Sequence, residues 1–117
     1  MTDALQINDA FADSPAKPLE APLGVSSTGP TDTWVDEFHE NVERGVFTGY
    51  WRCAPGVSAW DFSDNNEVIY VIEGSLTVQR EGEEAQTFGP GTSVAFPQGW
   101  KGTWEITETL TKFYVIF

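Results

Sequence analysis

Hydrophobic and polar residues alternate along much of the chain after residue 30, and glycine, proline, aspartate and asparagine interrupt the alternation. A period of two is typical of β-strands that bury one face. The interruptions recur about every eight to twelve residues, which is the turn spacing of antiparallel sandwiches and barrels. The pattern therefore predicts an all-β domain over residues 31–117.

The pattern divides into nine predicted strands with no helix among them. They span Thr33–Phe38, Gly45–Cys53, Val57–Phe62, Glu67–Glu73, Ser75–Arg80, Gln86–Phe88, Ser93–Phe96, Gly102–Ile106 and Leu110–Phe117. Residues 1–30 are rich in alanine, serine, proline and glycine and show no sustained period. We expect an irregular N-terminal arm there, compatible with a short helical turn over Ala4–Phe11.

Both faces of the predicted strand Glu67–Glu73 are apolar. Ile69 and Val71 lie on one face, and three apolar residues lie on the other: Val68, Tyr70 and Ile72. We expect the barrel interior to cover one face. An exposed apolar outer face invites aggregation, so either the N-terminal arm or a second copy of the chain should cover it. On this ground we predict a homodimer.

The charge balance excludes several classes of partner. The chain has 18 acidic and 6 basic residues and a formal net charge of −12. Such a charge repels phosphate backbones and anionic lipids, so we expect no nucleic-acid and no membrane partner. The N-terminus lacks the basic and apolar regions of a secretory signal, and the longest apolar run, Val68–Ile72, is too short to span a bilayer. A cytoplasmic location is expected by default.

Two groups of residues resemble the two sequence motifs of cupins, a family of small jelly-roll barrels. The first group is Asp61, Ser63, Glu67 and Gly74, and the second is Gly91, Pro97, Gly99 and Gly102. Other phrases resemble the cupin branch related to ureidoglycine aminohydrolase and ethanolamine-utilisation cupins: Trp51–Gly56, Tyr70–Gly74, Gly102–Ile106 and Lys112–Tyr114. The resemblance covers about residues 31–117 and implies a single cupin jelly-roll barrel. It implies no particular activity, because one fold hosts many functions.

The resemblance also implies where a metal ion would bind. In metal-binding cupins three histidines and a glutamate converge on the ion, and the matching residues here are Asp61, Ser63, Glu67 and Gly102. The single histidine, His39, lies outside both motifs. Zinc, iron and nickel favour imidazole or thiolate ligands, so we expect no cofactor. A manganese or magnesium ion held by Asp61 and Glu67 is the alternative, with an incomplete ligand shell.

Glu67 is the first candidate catalytic residue. Strand alternation places its carboxylate at the head of an apolar inward row, where it must be paired with a cation or partly desolvated. Lys112 is the preferred partner over Arg52 and Lys101, because the apolar residues 113–117 make an unpaired buried ammonium costly. Lys112 is therefore also a candidate ligand-binding residue. Alternatively, Lys112 lies at the surface with its ammonium group in water.

Asp61, Ser63 and Trp104 complete the candidate site. Asp61 is a second candidate catalytic carboxylate or, equally, a turn acceptor that leads into Ser63–Asn66. Ser63 and Trp104 are candidate ligand-binding residues. Trp104 follows Gly102 by two residues and shares its face. It either fills the space of the absent imidazole or forms a flat pocket wall.

Three functions are consistent with these residues. The first is a small cupin that binds a small polar molecule in its barrel without the usual histidine-based metal site. The second is a hydrolase or isomerase that acts on a ureide or sugar-like substrate with the help of manganese or magnesium. The third is a non-catalytic structural or regulatory dimer. We favour the first, and the sequence names no substrate.

Overall fold

The computed structural model describes residues 4–7, 10–12, 14–20 and 24–117, which form nine β-strands and no helix. In chain order the strands are β1 (Lys17–Pro18), β2 (Gly24–Ser26), β3 (Asp32–Asn41), β4 (Val46–Cys53), β5 (Gly56–Asp61), β6 (Glu67–Arg80), β7 (Gln86–Phe88), β8 (Ser93–Phe96) and β9 (Lys101–Ile116). The all-β prediction is confirmed. No helix that could span a membrane is present among these described residues.

The two longest strands, β6 and β9, run through both halves of a single curled antiparallel sheet. β9 pairs with β4, β5 and β6, and β6 also pairs with β7 and β8. The second half of β9 lies between β4 and the start of β6, so that Lys112 is opposite Trp51 on one side and Val71 on the other. The curled sheet is the predicted jelly-roll barrel, and its interior lies between these strands.

The sequence pattern divides β6 and β9 into two strands each, whereas the structure has continuous strands with a bend. The pairing register between β6 and β9 shifts between Val71 and Leu76. Gly74 lies at this shift with a φ of +87°, and a side chain there would collide with the carbonyl oxygen of Thr109. A β-bulge of this kind bends a strand without ending it. In a sequence it looks like a turn.

The core consists of inward residues from both halves of the sheet and contains seven aromatic side chains among the described residues. These are Trp51, Trp60, Phe62, Phe96, Trp100, Trp104 and Tyr114. The closest ring pair is Trp60 with Trp104, stacked with centroids 4.0 Å apart. Cys53 is also buried, and this burial raises the pKa of its thiol to about 12, although the charge of Lys112 opposes the shift. Cys53 is thus a core residue with an unreactive thiol.

The described part of the N-terminal arm lies on the barrel surface. β1 pairs with β3, and β2 pairs with β5. Phe11 packs against the guanidinium of Arg52, 4.6 Å from ring centroid to carbon, and its N–H donates to Asp36. Residues 4–7 are irregular and residues 10–12 form a turn, while residues 8 and 9 of the expected helical turn lie outside the described residues. The arm therefore adds two short strands to the sheet.

The outer face of β6 remains exposed in the single chain. Val68, Tyr70 and Ile72 are 38%, 46% and 37% exposed, whereas Ile69 and Val71 on the inner face are almost fully buried. The described arm residues contact β3, β4 and β5 instead. We expected either the N-terminal arm or a second copy of the chain to cover this face, and the described arm residues do not cover it.

Candidate functional site

A cavity of about 350 Å³ opens from the surface into one half of the barrel. Its exposed members, Val35 and Glu37, mark the mouth, and buried side chains form the inner wall. The lining residues are Val35, Glu37, Phe47, Trp51, Trp60, Asn65, Glu67, Lys112, Tyr114 and Ile116. A mostly apolar cavity with a few convergent polar groups is typical of a small-molecule site.

The most polar feature of the inner wall is a buried ion pair between Lys112 and Glu67. Lys112 Nζ donates a hydrogen bond to Glu67 Oε2 at 2.7 Å, and the two side chains are 2% and 3% exposed. The predicted partnership is therefore confirmed, and the surface alternative for Lys112 is wrong. In the register of β6 against β9, Lys112 is opposite Val71 and Glu67 is opposite Ile116, four residues further along the ladder. The two long inward side chains therefore reach each other inside the barrel and not as directly opposite residues.

Three tryptophans surround the ammonium group of Lys112. Its Nζ lies 4.5 Å from the ring centroid of Trp104, 4.6 Å from that of Trp51 and 5.5 Å from that of Trp60. At these distances the negative ring faces attract a cation, and the attraction is larger where water is excluded. The rings and Glu67 together compensate a charge that burial alone would disfavour.

Burial and the ion pair with Glu67 have opposite effects on the pKa of Lys112. Desolvation lowers the pKa of the ammonium, and the charge and hydrogen bond of Glu67 raise it. Burial is the larger effect, so the pKa of Lys112 lies below the ordinary value for lysine. Because Nζ lies 2.7 Å from Oε2 of Glu67 and burial disfavours the ammonium form, the proton between these two atoms is well placed for transfer.

A second polar contact lies near the mouth of the cavity. Tyr114 donates a hydrogen bond from its hydroxyl to Glu37 Oε1 at 2.8 Å. Burial raises the pKa of the Tyr114 hydroxyl, and the bond to Glu37 raises it further. Tyr114 is therefore a neutral hydrogen-bond donor, and Glu37 brings a second negative charge to the site.

Asp61 and Ser63 lie at an exposed turn, and neither lines the cavity that contains Glu67. The Asp61 carboxylate accepts hydrogen bonds from the backbone N–H and the hydroxyl of Ser63. It also lies 3.6 Å from Lys101 Nζ. The bonds from Ser63, and to a smaller extent Lys101, hold the pKa of Asp61 below its usual range. The structure thus gives Asp61 the turn-acceptor role and separates both residues from Glu67.

Trp104 fills space inside the core. Its side chain is fully buried and does not line the cavity, so it acts here as a plug and not as a wall. Its indole N–H has no hydrogen-bond partner among the described residues. At Gly102, a side chain would collide with the carbonyl oxygen of Gln79 and lie 2.7 Å from the ring of Trp100. The space of an imidazole at this position is therefore already occupied.

The residues at the four metal positions of cupins do not fit an ion. Asp61 and Ser63 face solvent, Gly102 has no side chain and no room for one, and Glu67 is bonded to Lys112. In the part of the chain that the structure describes, no three His, Cys, Asp or Glu side chains converge to hold a metal. The cation that pairs with Glu67 is the ammonium group of Lys112 in the same chain.

The curled jelly-roll sheet, with the glutamate of the first motif inside the barrel, defines a cupin. The family model described as "EutQ-like cupin domain" matches residues 41–114, more than half of the chain, and the protein belongs to this family. No curated protein matches the chain.

Solved structures with low sequence identity share this fold. The EutQ protein of Clostridium difficile is 18% identical with a TM-score of 0.65, over 74% of this chain and 63% of that one. A protein with unknown function from Pseudomonas syringae pv. tomato is 20% identical with a TM-score of 0.77, over 93% and 46%. A protein of unknown function from Rhizobium leguminosarum is 28% identical with a TM-score of 0.62, over 73% and 80%. The chain thus spans less than two thirds of the first two proteins.

Sequence reasoning missed the other polar and aromatic residues of the cavity, namely Glu37, Trp51, Trp60 and Tyr114. One signal was available for Tyr114, because it follows Lys112 by two residues on the same strand and therefore shares its inward face. Trp51 becomes a neighbour of Lys112 only through the register of β4 against β9. Glu37 belongs to a strand whose register shifts at the next residue, which alternation does not reveal.

Proposed function

We propose that this protein binds a small polar molecule in the barrel cavity, with the Lys112–Glu67 pair as the polar anchor in place of a metal ion. The observation that carries the proposal is the position of the pair, which is buried and yet lines a cavity that reaches the surface. A buried ion pair is seldom more stabilising than apolar residues of similar size. Its presence at a cavity wall therefore supports a role in recognition.

The chemistry of the cavity limits the ligand. The ammonium of Lys112 offers donors, the carboxylate of Glu67 offers acceptors, and Trp51 and Trp60 offer apolar surface. Glu37 and the net charge of −12 disfavour anions. An uncharged molecule, or one with a positive group, that both donates and accepts hydrogen bonds matches these features. Ureides, amino alcohols and sugars meet this description.

Isothermal titration calorimetry with a panel of ureides, amino alcohols and sugars tests the proposal. We expect at least one class to bind the wild-type protein. Trp51→Ala should weaken that binding at least about tenfold, which corresponds to about 1.4 kcal/mol, because it removes one cavity wall. Lys101→Arg, which keeps the exposed contact with Asp61, serves as the control and should bind like wild type. Absence of binding across all three classes would contradict the proposal.

We further propose that the chain forms a homodimer through the outer face of β6. Val68, Tyr70 and Ile72 form an exposed uncharged row, and the neighbouring outward residues Ser93 and Ala95 of β8 are also uncharged. Two chains with a net charge of −12 each repel one another except where such a face excludes charge. A two-fold contact of this face with its own copy buries the row on both chains.

Tyr70→Glu should convert the dimer to a monomer in sedimentation velocity at micromolar concentration. The substitution places a charge at the most exposed member of the row, where a dimer would have to desolvate it. Val42→Glu is the matched control, since Val42 is 71% exposed in the turn between β3 and β4 and should leave the dimer intact. A monomeric wild-type protein would overturn the proposal.

A further inference from the structure

We propose that the ligand of this cavity carries an aldehyde or ketone group, and that Lys112 captures it as a covalent iminium. The inference rests on the proposed function, because it assumes that small molecules enter the cavity, and it adds a bond to that function. It makes Lys112 the reacting group and Glu67 the proton carrier.

The position of the amine supports this chemistry. Lys112 lies in the middle of the barrel wall, with β4 paired on one side of its strand and β6 on the other, so its side chain extends from a rigid element. Nζ is fixed by the bond to Glu67 and by the ring contacts of Trp51 and Trp104. Burial favours the neutral amine, which is the form that attacks a carbonyl carbon.

The neighbouring carboxylate balances the protons of the reaction. Lys112 transfers a proton to Glu67 across 2.7 Å, and the neutral amine forms a C–N bond with the carbonyl carbon. The carbonyl oxygen takes the proton from Glu67, and the nitrogen returns one proton to it, which gives a carbinolamine. Glu67 then protonates the hydroxyl group, the C–O bond breaks and water leaves. The products are an iminium on Lys112, an ionised Glu67 and one water.

The product suits the site as well as the reactants do. The iminium carries one positive charge, as the ammonium did, so the pair with Glu67 and the attraction of the three tryptophan rings are kept. No charge is gained or lost in the buried site, since a neutral carbonyl compound enters and neutral water departs. A cavity of about 350 Å³ has room for roughly ten non-hydrogen atoms at about 30 Å³ each.

Reductive trapping tests the inference on the wild-type protein. The protein is incubated at pH 7 with glycolaldehyde and sodium cyanoborohydride, and peptide mass mapping follows each lysine. The chain has three lysines, Lys17, Lys101 and Lys112, so the assignment is direct. We expect modification of Lys112 at least about tenfold faster than of the two exposed lysines, because burial favours its free amine and the cavity holds the aldehyde next to it. Modification of Lys17 and Lys101 with Lys112 unmodified would overturn the inference.

Two controls distinguish the effect of the folded cavity on the modification rate from the intrinsic reactivity of the amine. In concentrated urea the three lysines should react at similar rates, whereas preferential reaction of Lys112 in the unfolded chain would contradict a role for the cavity. Lys101→Arg should keep the reaction at Lys112, and Lys112→Met should remove the fast phase. If Lys112→Met fails to fold, the mapping of the wild-type protein still decides.

The calorimetric panel keeps the two proposals apart. If ureides, amino alcohols or sugars bind while Lys112 stays unmodified by glycolaldehyde, the binding function stands and the covalent step is wrong. If Lys112 is modified selectively, the covalent step stands even where compounds without a carbonyl bind weakly. If neither binding nor modification occurs, both proposals fail and the ion pair is purely structural.

Discussion

Lys112→Met will lower the free energy of unfolding by about 3–5 kcal/mol. The substitution removes the cation that faces Glu67 and leaves a carboxylate that is 3% exposed without a charged partner. A buried charge without a partner is far more costly than a pair or than no charge at all. Urea unfolding followed by tryptophan fluorescence measures the loss. Small domains have only about 5–15 kcal/mol of stability in total, so the variant should be marginal.

The double variant Lys112→Met with Glu67→Met should be more stable than Lys112→Met alone. It removes both charges and fills the same space with apolar side chains, which is often neutral for stability. The difference between the two variants, with Glu67→Met completing the cycle, gives the coupling of the pair. Lys101→Met breaks the exposed contact with Asp61 and should leave the unfolding midpoint nearly unchanged. A Lys112→Met protein as stable as wild type would show that water or a rearrangement compensates Glu67.

Trp104→Ala should have a similarly large effect, a loss of about 3–5 kcal/mol in the free energy of unfolding. Trp104 is fully buried and touches rings on several strands: Trp51, Trp60, Phe62 and Phe96. Truncation removes these contacts and leaves a cavity in the centre of the core. Thermal and urea unfolding measure the loss.

Trp104→Phe separates the cost of lost volume from the effect of the indole N–H. The N–H of Trp104 has no partner in the described part of the chain, whereas the N–H of Trp60 donates to Ser58 Oγ at 2.8 Å. The change to phenylalanine therefore removes an unsatisfied donor at Trp104 and a made hydrogen bond at Trp60. We expect Trp104→Phe to cost less stability than Trp60→Phe. The reverse order would indicate that the indole N–H of Trp104 has a partner in solution.

Several predictions from the sequence stay predictions. Acid or base catalysis by Glu67, a manganese- or magnesium-assisted hydrolase or isomerase activity, and a cytoplasmic location are in this group. So is the expectation that neither nucleic acid nor membrane binds. The ion pair bears on the catalytic role of Glu67, because its carboxylate already accepts a hydrogen bond from Lys112.

Much of the fold was predictable because strand alternation and turn chemistry act over a few residues. The short strands β7 and β8 have the predicted bounds, Gln86–Phe88 and Ser93–Phe96. The bends in β6 and β9 were not predictable in this way, since the bulge at Gly74 depends on the partner strand. The strands of the N-terminal arm were missed for a similar reason, as Lys17–Pro18 is a strand only through its pairing with β3.

The sequence by itself determined the all-β cupin barrel, the inward position of Glu67 and the loss of the histidines that would hold a metal. These follow from local spacing and residue type. The sequence favoured Lys112 as the partner of Glu67 but left a surface position open for it. The tertiary structure decided between the two, because Lys112 is 45 residues away and reaches Glu67 through the register of β9 between β4 and β6. It also turned Asp61 and Ser63 to solvent and placed three tryptophans around the ammonium. Strand register sets such contacts, and it depends on the whole sheet.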